Sequence, residues 1–271
     1  MDKPENHAAP KIETKPLGSY FEIDAEGYIV NPASAEKIQP EWRPIVDAAI
    51  AAYQKQYGEK LRHVVLRGSV AKGQAIERIS DVDTFAYVDL SKEEISNEWT
   101  NAAEAELVAR FPFASQIEIG VYPMSDIAKD VVMLNQAVVV WGDTIAVPKL
   151  KIGRDLALHA PRIHKRLSFM RKFLAEPQPE SEIRNSCTWL AKGILRAGLE
   201  LSMERAGRYS RDLYRCYETF AQVYPQKEAE MREALRLALN PTADIETLRG
   251  LVEGIGAWIE SEAKVVWPEK V

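Results

Sequence analysis

Two cysteines in 271 residues, Cys187 and Cys216, are too few for a disulfide framework, and their separation is no metal-ligand spacing. A reduced, cytoplasmic setting fits that scarcity. No run approaches the ~18 consecutive apolar residues of a spanning helix, so no membrane partner is expected. With 14 glycines and 15 prolines, the chain is neither collagen-like nor of low complexity. An excess of positive charge is missing too. The net charge of −5 speaks against generic DNA binding, which usually needs a strongly basic domain. The first 16 residues, MDKPENHAAPKIETKP, lack an apolar segment and read as a flexible polar arm rather than a secretory signal.

What is present is unevenly placed. Residues 1–150 carry 15 Lys/Arg against 23 Asp/Glu, and residues 151–271 carry 20 against 17. Within 162–215 the balance is 12 basic to 6 acidic. An acidic half followed by a locally basic one suits a metal-bound polyanion held between them.

The hydrophobic pattern divides the chain at about the same place. Residues 19–32 alternate around Asp-Ala-Glu-Gly and predict a hairpin. Trp42, Ile45, Ala49, Ala52 and Tyr53 recur at helical spacing between Pro40 and Gly58. Strands are predicted over 61–66, 82–90, 115–122 and 138–145. A helix is predicted over 91–110, with Ser91 and Glu94 as a capping box. From Asp155 onward only helical periodicity remains: about 155–175, 181–206, 211–222, 226–239 and 243–266. Strands in one run and helices in another favour two domains over a doubly wound sheet.

The informative stretch is LRGSVAKGQAIERISDVDTFAYV: a strand, a Gly-Ser turn, an eleven-residue spacer (70–80), then Asp81-Val82-Asp83 opening the next strand. Side chains alternate along a strand, so Asp81 and Asp83 share a face. Neighbouring carboxylates repel unless a cation lies between them. Magnesium suits such a place, because it binds through a few carboxylates and completes its shell with phosphate oxygens and water. Gly68 lets the backbone come close to a ligand, and the amides at Ser69 and Val70 point at an anion. A third carboxylate, Glu118, stands between Ile117 and Ile119, whose side chains face the core. Each feature alone is common on ordinary proteins; the conjunction is what points to chemistry.

At these residues the chain resembles the nucleotidyltransferase superfamily, which includes DNA polymerase β and the antibiotic nucleotidyltransferases. The family pattern is a hydrophobic residue, Gly, then Gly or Ser, a spacer of about nine to thirteen residues, Asp-x-Asp/Glu, and a later acid between hydrophobics. Gly68, Ser69, Ser80-Asp81-Val82-Asp83 and Glu118 match it, and Lys72-Gly73 sits where many members have Arg-Gly. Arg67 and Thr84 depart from it, replacing hydrophobic residues. Residues 138–145, VVVWGDTI, resemble the segment that closes this domain in antibiotic-modifying members. The motifs span about 61–145.

The resemblance implies an α+β protein. A flexible arm (1–16) would precede a nucleotidyltransferase α/β domain with a small mixed sheet (17–150), and an all-α helical bundle (151–271) would follow. It implies two Mg2+ ions about 4 Å apart on Asp81 and Asp83, with ATP as donor. Glu118 would complete the acceptor-side metal or act as general base. Gly68, Ser69 and Lys72 would bind the nucleotide. From the helical half, Lys192 in TWLAKGILRAG, Arg196 one turn on, and Tyr209 and Arg211 in GRYSRDLYRC are the candidates to meet its phosphates. His63, His159 and His164 read as structural. The expected activity is transfer of AMP from Mg-ATP to a hydroxyl of a small, polar, aminoglycoside-like acceptor, with release of pyrophosphate. The alternatives are adenylylation of a protein or RNA end, and a catalytically silent nucleotide-binding protein.

Overall fold

Residues 22–150 form one compact unit; residues 13–21 and 151–268 form another. The description comes from a computed structural model and covers residues 13–268. Residues 1–12 of the expected arm lie outside it. Among the described residues no helix is long and apolar enough to cross a membrane.

The first unit is built on a four-stranded mixed sheet. Its helices are α1 (Arg43–Tyr57), α2 (Gly68–Ala71), α3 (Thr100–Arg110) and α4 (Val131–Leu134). Its strands are β1 (Leu61–Arg67), β2 (Val82–Val88), β3 (Ile117–Pro123) and β4 (Ala137–Gly142), in the order β3-β2-β1-β4. β1 is antiparallel to both β2 and β4, whereas β2 and β3 run parallel.

Alternation sends Val64, Leu66, Val82, Ala86, Ile117 and Ile119 to one face, where they form the main core with Trp42, Ile45, Ala49 and Tyr53. Pro44 lies in the first turn of α1, where its missing N–H costs nothing. The Tyr53 hydroxyl reaches Thr84 Oγ1 at 3.1 Å and the Gly120 carbonyl at 3.2 Å, pinning α1 to β2 and β3. The opposite face is covered at one end by a smaller cluster of Val65, Phe85, Tyr87, Leu134 and Ala137.

Two local expectations change. The helix expected over 91–110 begins only at Thr100. The Ser91 N–H does meet the Glu94 carboxylate at 2.8 Å. Ser96 and Asn97 then offer competing local bonds, to the Glu98 N–H (3.3 Å) and from Thr100 Oγ1 (2.8 Å), which restart the chain there. The expected 19–32 hairpin is reduced to a single bridge between Ile23 and Ile29. Its first strand is otherwise engaged, since the Phe21 N–H donates to the Tyr209 carbonyl and the Ser19 N–H to the Asp212 carboxylate.

The second unit is helical: α5 (Ile163–Phe173), α6 (Glu180–Ala206), α7 (Leu213–Val223), α8 (Glu228–Leu239), α9 (Ile245–Leu251) and α10 (Ala257–Val266). α6 is the axis, and α5, α7, α8 and α10 pack on it. That explains why its run from Leu190 to Met203 is buried on nearly every side. The helix expected over 243–266 is interrupted by a wide turn at Val252–Gly256, where Gly254 leaves helical geometry at ψ −106°. Gly250, Gly254 and Gly256 weaken the helix just there.

Candidate active site

Strand register brings the acidic motif together. Arg67 on β1 is paired with Asp83 on β2, and Asp83 with Glu118 on β3. The three side chains therefore form one row across three strands, on the face opposite the main core. β1 ends there while β2 and β3 begin. Asp81 is exposed, one residue ahead of β2.

Charges in this row interact directly. Arg67 Nε lies 3.7 Å from Asp83 Oδ2, and Arg67 Nη2 lies 3.4 Å from Glu118 Oε2. Burial pushes the Asp83 carboxyl up to about 6; Arg67 opposes that shift, and the neighbouring Glu118 adds to it. Half-exposed Glu118 keeps water on one side of the pair.

The turn after β1 is fitted to Asp83. Gly68 has φ +79°, and a Cβ there would stand 2.9 Å from Asp83 Oδ2. Any larger residue would strain the backbone and crowd the carboxylate. Ser69 and Lys72 follow in and just after α2, both partly exposed. Ser80 is buried and holds the loop that delivers Asp81: the Ile76 N–H donates to its Oγ (2.9 Å), and its own N–H donates to the Ile76 carbonyl (2.8 Å).

Among the described residues no group of three His, Cys, Asp or Glu is gathered closely enough to be a metal site by itself. The donor chemistry nevertheless fits a hard cation. Asp83 and Glu118 offer adjacent oxygens, Asp81 is two residues away, and a guanidinium already stands against the pair. A set this small suits Mg2+ completed by phosphate oxygens and water.

The helical unit holds a second electrostatic centre. Glu200 is fully buried in α6 and accepts the N–H groups of His159 and Ala160, both at 2.7 Å, and of Leu158. Burial pushes it up to about 7, against the pull of those bonds and of Arg211. His159 is pushed down to about 2 by burial and then by Arg211, Arg196, Arg166 and Arg162. Burial and Arg196 lower Arg166 to about 10.

Arg196 and Arg211 thus share one positive neighbourhood. Lys192 is partly exposed one turn before Arg196. Tyr209 is buried, its ring 5.2 Å from Phe21 and its hydroxyl bonded to the Arg211 side chain. From there it supports Arg211.

Sequence reasoning missed three contributors. Arg67 is visible there only as a departure from a pattern, although it sits inside the motif. Arg166 crosses α6 where Gly193 leaves room for its side chain, which no spacing announces. Glu200 did leave a signal, as a single acid inside the apolar run LRAGLELSM.

No family model matches the chain, and no curated protein matches it. Among solved structures it is similar to spectinomycin adenyltransferase AAD(9) from Enterococcus faecialis, a complex with ATP and spectinomycin. That likeness covers 82% of this chain and 99% of the other, at 12% identity and a TM-score of 0.46.

Proposed function

We propose that this chain is a nucleotidyltransferase that moves AMP from Mg-ATP to a hydroxyl of a small, polar, aminoglycoside-like acceptor in the cytoplasm. One observation carries the reading: Asp83 and Glu118 stand side by side at the strand ends, with the Gly68-Ser69 turn packed against Asp83. Asp81 and Asp83 would hold Mg2+, in the two-ion arrangement the motif implies, with Glu118 toward the acceptor. When bound, the metal neutralises phosphate charge.

The protein's own groups account for the rest. Glu118 accepts the proton of the acceptor hydroxyl. The oxygen then bonds to the α-phosphorus, while the bond from that phosphorus to the bridging oxygen of pyrophosphate breaks. Gly68, Ser69 and Lys72 bind the nucleotide beside Asp83. Lys192, Arg196 and Arg211 are proposed as phosphate-binding cations, with Tyr209 behind Arg211. In such a transfer catalysis is mostly positioning and charge compensation.

The test is pyrophosphate release with Mg-ATP across a panel of hydroxylated, amine-bearing small molecules. At least one acceptor should give metal-dependent release together with an adduct heavier by AMP. ATP binding without release for any acceptor would favour the silent nucleotide-binding alternative. Adduct formation only on protein or RNA would move the acceptor class.

A further inference from the structure

We propose that Arg67 is a positioning residue and an exchangeable counter-cation: its guanidinium holds Asp83 and Glu118 in the free protein, and a divalent ion entering between those carboxylates must displace it. The inference rests on the nucleotidyltransferase reading, because it needs the carboxylates to take a metal.

The geometry supports exchange rather than a fixed structural bridge. Arg67 approaches Asp83 at 3.7 Å and Glu118 at 3.4 Å. Both separations are longer than the roughly 2.7–2.9 Å of a tight charge-assisted bond. Both pairs also draw on one guanidinium, so Arg67 spans the carboxylates without forming a two-pronged bond to either.

The arginine is also free to leave. Its side chain is 35% exposed, so it can move into water without opening the core. It is the last residue of β1, and the main chain beneath it is fixed by pairing to Asp83 on one side and to Ala137 on the other. Movement is therefore confined to the side chain, and the carboxylates stay where the strands put them.

Electrostatics makes the two states exclusive. Without a cation, adjacent Asp83 and Glu118 repel each other. A guanidinium and a divalent ion in the same space would repel as well, so each weakens binding of the other. Arg67 therefore keeps the pair assembled before loading and lowers its affinity for free metal. Once displaced, it remains one residue from the Gly68-Ser69 turn, where a planar guanidinium suits phosphate oxygens.

The experiment measures Mn2+ binding to the full-length, nucleotide-free protein by electron paramagnetic resonance, alongside thermal melts with and without Mn2+. Arg67→Leu should bind Mn2+ about tenfold or more tightly than wild type. Its melting temperature should also rise more on adding Mn2+. Arg67→Lys keeps a cation and should stay near wild type.

Unchanged or weaker Mn2+ binding by Arg67→Leu, with wild type binding normally, overturns the exchange and leaves the nucleotidyltransferase reading standing. So does Arg67→Lys binding as tightly as Arg67→Leu, because charge would then not be the cause. Failure of wild type to bind Mn2+, with or without ATP, removes both. Should Arg67→Leu not fold, Arg67→Gln makes the same comparison with the same outcomes.

Discussion

The two units handle charge in opposite ways. In the sheet unit, one cation and two acids share a row, Arg67 beside Asp83 beside Glu118, each fixed by strand register. In the helical unit, like charges gather: burial first, and then Arg211, Arg196, Arg166 and Arg162, hold His159 neutral, with a carboxylate buried at Glu200. The first arrangement sets one guanidinium between strand-end acids that are partly open to water. The second gathers four arginines about one buried carboxylate, and an anion would relieve their mutual repulsion.

The sharpest way to break the comparison is to neutralise the acids at the start of β2. On the proposed reading, Asp81→Asn or Asp83→Asn should abolish pyrophosphate release, since the loss removes charge compensation as well as position. Circular dichroism and melting should show an intact fold, because neither carboxylate is part of the apolar core. A large loss of melting temperature would mark the residue as structural.

Glu118→Gln should have a smaller effect. Turnover should fall by roughly 10²–10⁴, the usual contribution of a positioned base. ATP affinity should stay within a few fold, since Asp81, Asp83 and Ser69 remain. Rate lost without affinity is the signature of an interaction made mainly in the transition state. If calorimetry shows affinity falling along with rate, Glu118 belongs to the nucleotide side.

The contrast between the units also explains what the sequence made legible. A sheet turns spacing into position: Gly68-Ser69, Asp81-x-Asp83 and Glu118 lie on successive strand ends, so a short pattern is enough to read them. What spacing does not contain is which residue of β1 lies opposite Asp83. Arg67 therefore looks like an irregularity until pairing sets it beside the acids. The helical centre is assembled from four separate stretches, around residues 159, 166, 196 and 211, and packing rather than any periodic pattern joins them. Lys192, Arg196 and Arg211 could be picked out as oddly placed cations. That Tyr209 is buried behind Arg211 could not, because aromatic residues at helix starts face either way. The division into strands first and helices later was visible because the hydrophobic period changes from two to 3.6 along the chain.

A third prediction sharpens the helical half of the comparison. Arg211→Ala should weaken ATP binding by about tenfold, the scale of one charge-assisted bond. It should also raise the His159 pKa from its depressed value near 2, because Arg211 is the largest charge acting on it. NMR titration of His159 reads the second effect without any activity assay. Movement of the histidine with no change in ATP affinity would confine the arginine cluster to a structural role.

The smallest effect expected concerns pH and stability, and it returns to Asp83. Its folded-state pKa is raised to about 6, first by burial and then by Glu118, with Arg67 pulling the other way. The unfolded value is near 3.9. Between those values the folded protein keeps a proton that the unfolded chain has lost. The contribution is therefore fully present below about pH 4 and is lost as pH rises through about 6. At pH 7 the penalty is on the order of 2 kcal/mol, since a tenfold change in proton affinity is worth about 1.4 kcal/mol and part of the carboxylate remains in water. Asp83→Asn carries no such charge, so melting temperature plotted against pH should be flatter for the variant over pH 4–7. At neutral pH the variant should melt a few degrees higher than wild type. Mg2+ should narrow that gap by stabilising wild type alone. Arg67→Leu should widen it, because it removes the cation that now opposes the shift. Parallel melting curves for wild type and Asp83→Asn across this range would show that the Asp83 carboxylate is already fully compensated, and the row would then be a closed ion network rather than a site waiting for a metal.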